Sequence, residues 1–259
     1  TALLALQIKD AVLEKFILIE NGLAVSNQSL LDYNQRTLLD IKEDVVNQGD
    51  KEGDQAVALT AQNIRDYTTG LVAYIEDMKY QVGSASSGGD TSKVYERSTL
   101  KKYEEPSRYL YEQHFGDSLK AQLDAFPQQV NAAIDKLGKG GMNPEWMQSI
   151  AIDANDMKLY EDNQEEKNKS YSKFNFYKAP LASVLAQLTF YKNQVYAKES
   201  EALNKLKTLV GSAVTVKPAD IEKLGSFDAV APTPRAERPQ VSNDNAAKNP
   251  QATPRTSNN

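Results

Sequence analysis

The sequence contains no cysteine. This absence excludes disulfide bonds, thiolate nucleophiles and the usual cysteine-based zinc sites. The single histidine, His114, also excludes a metal site built from several histidines. Cysteine-free chains occur both in the cytosol and in bacterial envelopes, so the absence does not identify a compartment.

Proline is absent from the chain before Pro106. Because proline removes a backbone donor and interrupts helices, this absence favours long helices in the first part of the chain. Prolines are frequent after Pro218, and the chain from Phe227 onward is polar and rich in Asn. A segment of that composition cannot bury enough apolar surface to offset its chain entropy, so we predict a flexible tail.

Clusters of basic residues interleaved with aromatics are also missing. The 259 residues carry a formal net charge of −5, and this acidic balance argues against a nucleic-acid partner. Hydrophobic residues make up 40% of the chain, which is enough to build a core. We therefore expect a folded domain that binds no nucleic acid.

Apolar residues recur at helical spacing in four regions. We expect one unbroken helix from Thr1 to Val46, a second around Val57–Val82, a third around Ser107–Leu137 that kinks or breaks at Gly116 and Pro127, and a last helix beginning at Pro180. The last helix repeats every seven residues: Leu181, Leu188, Val195, Ala202 and Leu209. These patterns predict an all-α fold, an elongated antiparallel four-helix-type bundle with a long first helix continuing from a transmembrane span.

Two polar features lie on or close to the predicted seams. Asn27 and Asn34 lie on the seam of the first helix, where polar residues specify register or partner more than they add stability. Glu199 lies close to the seam of the last helix, where a carboxylate is either exposed at the edge of the bundle or paired. Exposure is the commoner outcome for a carboxylate.

The first residues, Thr1–Leu6, are apolar and have neither an initiator Met nor a basic flank. They fit the end of a transmembrane helix or, alternatively, the buried first turn of a trimmed chain. We predict three parts: residues 1–8 as the end of a transmembrane helix, 9–212 as a helical-bundle domain, and 213–259 as a flexible tail or linker.

Patterns that carry chemistry are weak. The segment Gly138–Gly141 lacks the spacing of a phosphate-binding loop. The acidic run Glu161–Glu166 lacks the alternating ligands and central glycine of a calcium loop. We therefore predict a protein that is not an enzyme and that has no catalytic residue, cofactor or metal.

Two stretches carry a family resemblance. Near the start, Leu4–Phe16 (LALQIKDAVLEKF) is followed by Leu18–Leu23 (LIENGL); near the last helix, Ala179–Leu188 (APLASVLAQL) leads to Glu199–Asn204 (ESEALN). Both resemble the gliding-motility protein family GldM, called PorM in some species, of the type IX secretion system. The resemblance covers about Thr1 to Val210, although the middle is similar only in its helix pattern.

The resemblance implies an inner-membrane protein with its bulk in the periplasm. It further implies a homodimer whose transmembrane helix lies within a ring of a GldL-like partner, forming a proton-driven motor. The periplasmic part would carry motion to outer-membrane-associated secretion components. Most of the transmembrane helix and the β-rich domains of the family are missing from this sequence, so no proton-coupling residue is assigned.

Two alternatives remain open at this point. A periplasmic ligand-sensing helical-bundle domain of a membrane receptor would share the long first helix. Such a domain sends a second span onward from its last helix, whereas here that helix leads into Gly211 and a polar stretch. A secreted helical binding protein is the other alternative.

The first helix is predicted to be longer than its neighbour, so part of its apolar seam needs another cover. The end of the last helix is expected to return toward this region and cover part of it. A second copy would cover the rest, since a two-fold axis lets one stripe meet itself. The predicted dimer contacts are Leu6, Leu13, Phe16 and Leu23.

Overall fold

The structure, a computed structural model, describes residues 10–223. Its α-helices are α1 (Asp10–Asn47), α2 (Glu52–Ser86), α3 (Arg97–Leu100), α4 (Glu104–Pro106), α5 (Phe115–Asp135), α6 (Gln164–Lys167), α7 (Tyr171–Phe176), α8 (Leu181–Leu209) and α9 (Pro218–Lys223). Single turns of other helix types lie at Thr91–Lys93, Ser107–Glu112, Ala154–Asp156 and Lys158–Tyr160. The part of the chain that the structure describes contains no strand, and the predicted all-α fold is confirmed.

The two longest helices form an antiparallel hairpin. Helix α1 is unbroken over 38 residues, which at about 1.5 Å per residue makes it nearly 60 Å long. Gly49 ends it with a φ of +83°, a value that glycine adopts without a steric cost. Helix α2 then returns along α1, and the Lys42 ammonium donates to the Gln62 side-chain carbonyl at 2.7 Å.

Helix α8 runs parallel to α1 and antiparallel to α2. Asn27 contacts Thr189, and further along both helices Asp40 pairs with Lys207 at 2.7 Å. The first residue of α8, Leu181, donates its N–H to the Lys102 carbonyl, close to the start of α1. The expectation that the end of the last helix returns to this region is therefore wrong. The long connection from 136 to 180 carries the chain back before α8 begins.

Helix α5 completes the bundle against α2. The rings of Tyr67 and Phe126 stack with centroids 5.2 Å apart. The chain breaks at His114, two residues before the predicted position at Gly116, and the backbone of His114 is left-handed with a φ of +61°. Helix α5 continues through the buried Pro127, so the chain does not break there, and the alternative of a kink at this residue stays a prediction.

The packed unit extends beyond the predicted boundary at 212. Val214 and Ile221 are buried, and the short helix α9 lies against α2. These residues of the segment predicted as a tail or linker therefore pack against the bundle, and the division of the chain into three parts stays a prediction. Residues 1–9 and 224–259, which include the predicted transmembrane end and most of the predicted tail, lie outside the described residues.

Candidate interaction face and polar seam of the first helix

One side of α1 faces α2 and α8 and is buried. Its central positions repeat every seven residues, as a long helix must when it keeps one face toward a partner. Three consecutive positions of this repeat are polar, although all are almost fully buried. The buried series is Leu13, Glu20, Asn27, Asn34 and Ile41.

Glu20 is the centre of a first polar cluster. Its carboxylate is 2.6 Å from the Lys79 ammonium of α2 and accepts a hydrogen bond of 2.8 Å from the Tyr95 hydroxyl. Lys79 also donates to the Thr189 hydroxyl of α8 at 2.9 Å. Burial, followed by the neighbouring Glu20 carboxylate, raises the pKa of Tyr95, so this hydroxyl stays a donor. The cluster ties three segments to one carboxylate of α1.

The two asparagines hold α8 by its backbone. Asn27 donates its side-chain amide to the Thr189 carbonyl at 3.2 Å, and Asn34 donates to the Tyr196 carbonyl at 3.0 Å. The two carbonyls lie seven residues apart within α8, and the two asparagines lie seven residues apart within α1. A slide of one helix past the other would break both bonds together, so the pair fixes the register of α1 and α8.

Glu199 is the centre of a second polar cluster. Arg65 of α2 approaches both carboxylate oxygens, at 2.7 and 3.0 Å, and the Asn34 side-chain amide donates to one of them at 2.6 Å. Burial raises the pKa of Glu199 to about 7, while Arg65 and Asn34 act in the opposite direction. The expected exposure of Glu199 is therefore wrong, and the paired alternative holds.

The opposite side of α1 is open and mixes polar with apolar residues. Its most exposed large apolar residues are Leu18 at 64%, Val25 at 70%, Leu39 at 63% and Val46 at 67%. Their spacing is a multiple of seven, and Asp32 occupies the position between Val25 and Leu39. We name these four residues the outer stripe. Val12 and Ile19 extend it near the start of the helix, where both side chains are also about half exposed. A Cβ placed on Gly22, between Leu18 and Val25, would meet nothing within 4 Å.

The four predicted dimer contacts have different positions. Leu13 is 1% exposed and belongs to the core of the single chain. Phe16 is partly buried against that core, Leu23 is half-buried, and Leu6 lies outside the described residues. That these residues contact a second copy stays a prediction. The outer stripe was missed because the apolar spacing was used to predict one seam, whereas the stripe lies on the opposite side of the helix.

A small cleft of about 80 Å³ lies between α1, α2 and α8, lined in part by Asn27, Lys79, Lys192 and Tyr196. Its ammonium groups are already engaged, Lys79 with Glu20 and Lys192 with Glu76 at 2.7 Å. A ligand would have to compete with these ion pairs. The cleft is therefore better suited to hold water than to bind a charged ligand.

Chemistry-bearing clusters are sparse along residues 10–223. Within that range no group of His, Cys, Asp or Glu is arranged to hold a metal ion. His114 is exposed and has Asp117 2.9 Å from its Nδ1. No helix in the described range combines the length and apolar character needed to cross a membrane.

The fold is an all-α helical-bundle domain whose first helix carries the exposed apolar outer stripe. The chain belongs to the GldM N-terminal domain family, whose model matches residues 11–208. No curated protein and no solved structure gives a significant match. The resemblance noted in the sequence is thereby confirmed.

Membership of this family identifies the chain as part of a gliding and type IX secretion component. The family is a structural component of the secretion system and is not a known enzyme family. Its domain is the periplasmic part of a membrane-anchored protein.

Proposed function

We propose that this domain is the stiff periplasmic base of a secretion and gliding motor. It works as a homodimer and carries motion from an inner-membrane, proton-driven complex toward outer-membrane-associated secretion components. Its membrane partner is a GldL-like protein. The domain acts by mechanical contact, without a chemical step of its own.

The outer stripe of α1 carries the proposal. Leu18, Val25, Leu39 and Val46 expose apolar surface along one side of α1. Uncovered apolar surface is unfavourable at about 25 cal/mol per Å², and a two-fold axis along the stripe would cover both copies at once. Gly22, between Leu18 and Val25, leaves room for a partner backbone to approach closely.

The inner face of α1 supports the mechanical part of the proposal. A helix that transmits motion must not slide against the rest of its domain. The Glu20 and Glu199 clusters, together with Asn27 and Asn34, connect α1 and α8 at several heights of the bundle. Each bond is directional and breaks on axial displacement, whereas apolar contacts alone tolerate sliding.

Disulfide crosslinking tests the homodimer in the membrane-anchored protein that carries this domain. Cysteine is absent from the chain, so each introduced thiol is unique. We expect Leu18→Cys and Val25→Cys to give disulfide-linked dimers on oxidation. Thr69→Cys, at an exposed position of α2, is the control and should stay monomeric.

The same series separates two versions of the dimer. Leu13→Cys places the thiol in the core of the single chain, so we expect no crosslink there while the protein is folded. A crosslink at Leu13 but not at Leu18 would support the dimer contacts that were predicted from the sequence instead of the outer stripe. If none of these positions crosslinks in folded, membrane-inserted protein, the outer stripe is not the dimer surface.

The motor role needs a test in living cells. Val25→Asp puts a charge on the outer stripe, and we expect it to lower secretion and gliding at an unchanged protein level. Thr69→Asp is the matched control, with the same charge on an exposed position of α2. Normal secretion with Val25→Asp would contradict a role of the stripe in the motor.

A further inference from the structure

The chain reverses direction directly after α8. Gly211 has a φ of +76° and Ala213 a φ of +57°, so both lie in the left-handed region. Glycine enters this region freely, but alanine is strained there and stays only when its surroundings hold it. The reversal lays residues 210–221, which we name the strap, against the start of α2.

Asp54 holds the beginning of the strap. It lies in the first turn of α2, is 2% exposed, and accepts a hydrogen bond of 2.7 Å from the Gly211 N–H. A carboxylate acceptor makes this bond stronger than a neutral one. The single bond joins the C-terminal end of α8 to the N-terminal end of α2.

Gly53 provides a notch for the middle of the strap. A Cβ placed on Gly53 would lie 2.7 Å from the Val214 carbonyl carbon and 3.2 Å from the Val214 Cβ, so the strap fits only against a residue without a side chain. Val214 and Ile221 are both buried in the core at this end. Lys217 and Glu52 add an exposed ion pair at 3.5 Å, which contributes little.

The end of α1 meets the same junction. A Cβ placed on Gly211 would lie 3.4 Å from the side chain of Gln48, which follows the last residue of α1. The strap thus touches both sides of the α1–α2 turn and the end of α8. Without it, Gly211–Ala213 would be a free joint between the bundle and the remaining chain.

We propose that the strap is a clamp that fixes the direction in which the chain leaves the bundle. Gly53 and Asp54 are the residues that position it. Because the clamp prevents bending at Gly211–Ala213, motion that enters through α1 reaches the end of the strap. The docking of the strap does not depend on the proposed function. Its role in transmitting motion rests on the proposed function.

Hydrogen exchange on the 259-residue chain tests the docking. Gly53→Ala adds one methyl group in the notch while raising the helix propensity of α2. We expect amides of residues 211–221 to exchange at least about tenfold faster, with α1 and α8 unchanged. Asp54→Ala should act in the same direction by removing the acceptor of the Gly211 N–H.

Gly22→Ala is the matched control, because the added methyl group meets nothing within 4 Å. It should leave exchange in the strap unchanged. Unchanged exchange in Gly53→Ala, or equal acceleration in Gly22→Ala, would overturn the clamp. Either result would show that the notch does not hold the strap.

A second measurement addresses transmission in the membrane-anchored protein. We expect Gly53→Ala to lower secretion while crosslinking at Leu18 and Val25 persists. Normal secretion with a loosened strap would overturn its role in transmission. The absence of crosslinks in the unsubstituted background would instead count against the proposed dimer, so the two failures are distinguishable.

Discussion

Along residues 18–34, the two faces of α1 partly invert the usual arrangement of a surface helix. The face turned into the bundle carries Glu20, Asn27 and Asn34, all almost fully buried. The face turned to solvent carries Leu18 and Val25, both mostly exposed. A surface helix normally places its apolar residues toward the core and its polar residues toward water.

The inversion indicates two different tasks for one helix. Buried polar groups held by hydrogen bonds and ion pairs add little net stability, but they specify a single alignment. Exposed apolar groups are favourable only when another surface covers them. The inner face therefore fixes the position of α1 within its own chain, and the outer face is available to something outside it.

The largest effect is expected from removal of a buried partner on the inner face. Arg65→Met leaves the Glu199 carboxylate buried without its cation, which costs roughly 3 kcal/mol of unfolding free energy. Urea unfolding at pH 8 measures this loss. Leu18→Ala is the control on the outer face and should change the unfolding free energy by less than about 0.5 kcal/mol. Equal losses would contradict the distinction between the faces.

The inner face should also make stability depend on pH. The folded pKa of Glu199, about 7, lies above its ordinary value of 4.5, so the folded state holds a proton that the unfolded state releases. This contribution is complete below pH 4.5 and is lost as the pH rises through 7. We expect the wild type to lose on the order of 2 kcal/mol relative to Glu199→Gln between pH 5 and 8. Parallel pH profiles of the two proteins would refute this.

A smaller effect is expected from one hydrogen bond of the Glu20 cluster. Tyr95→Phe removes the hydroxyl that donates to Glu20 and should cost about 1.5 kcal/mol, because the acceptor is charged and buried. Tyr80→Phe removes the hydroxyl of an exposed tyrosine and should have almost no effect. Thermal unfolding of both variants measures the two losses of stability. Equal losses would contradict the role assigned to the Tyr95 hydroxyl.

The smallest effect is expected on the outer face, with opposite signs in the single chain and in the dimer. Gly22→Ala should raise the unfolding free energy by about 0.7 kcal/mol, since alanine is the better helix former and the site is open. The same methyl group should weaken crosslinking at Leu18 and Val25 if partner backbones approach closely there. Unchanged crosslinking would place Gly22 away from the contact.

The sequence predicted several elements of the fold correctly. The proline-free start and the apolar spacing predicted α1 and α2, and the seven-residue repeat from Leu181 predicted α8 from its first turn. These predictions succeed because a long amphipathic helix leaves a periodic pattern in its own residues. Asn27 and Asn34 could also be placed on the seam of α1 in this way.

Features that depend on several segments were missed or misplaced. The apolar spacing of α8 does not predict whether the helix runs parallel or antiparallel to α1. That orientation follows from the path of residues 136–180. The burial of Glu199 depends on Arg65, which is distant in sequence and lies on another helix. The sequence predicted only the seam that contains Leu13, so the exposed apolar series that contains Leu18 was missed.

By itself the sequence determined the helical class, the helices α1, α2 and α8, and the family to which the chain belongs. These properties are local, because helix periodicity and sequence motifs depend on residues that are close together in the sequence. Only the tertiary structure decided which segments cover the buried face of α1, how α8 is oriented and where the strap lies. Those properties depend on which side chains meet across the bundle, and a carboxylate such as Glu199 is stable in the core only when the other helices bring Arg65 and Asn34 to it.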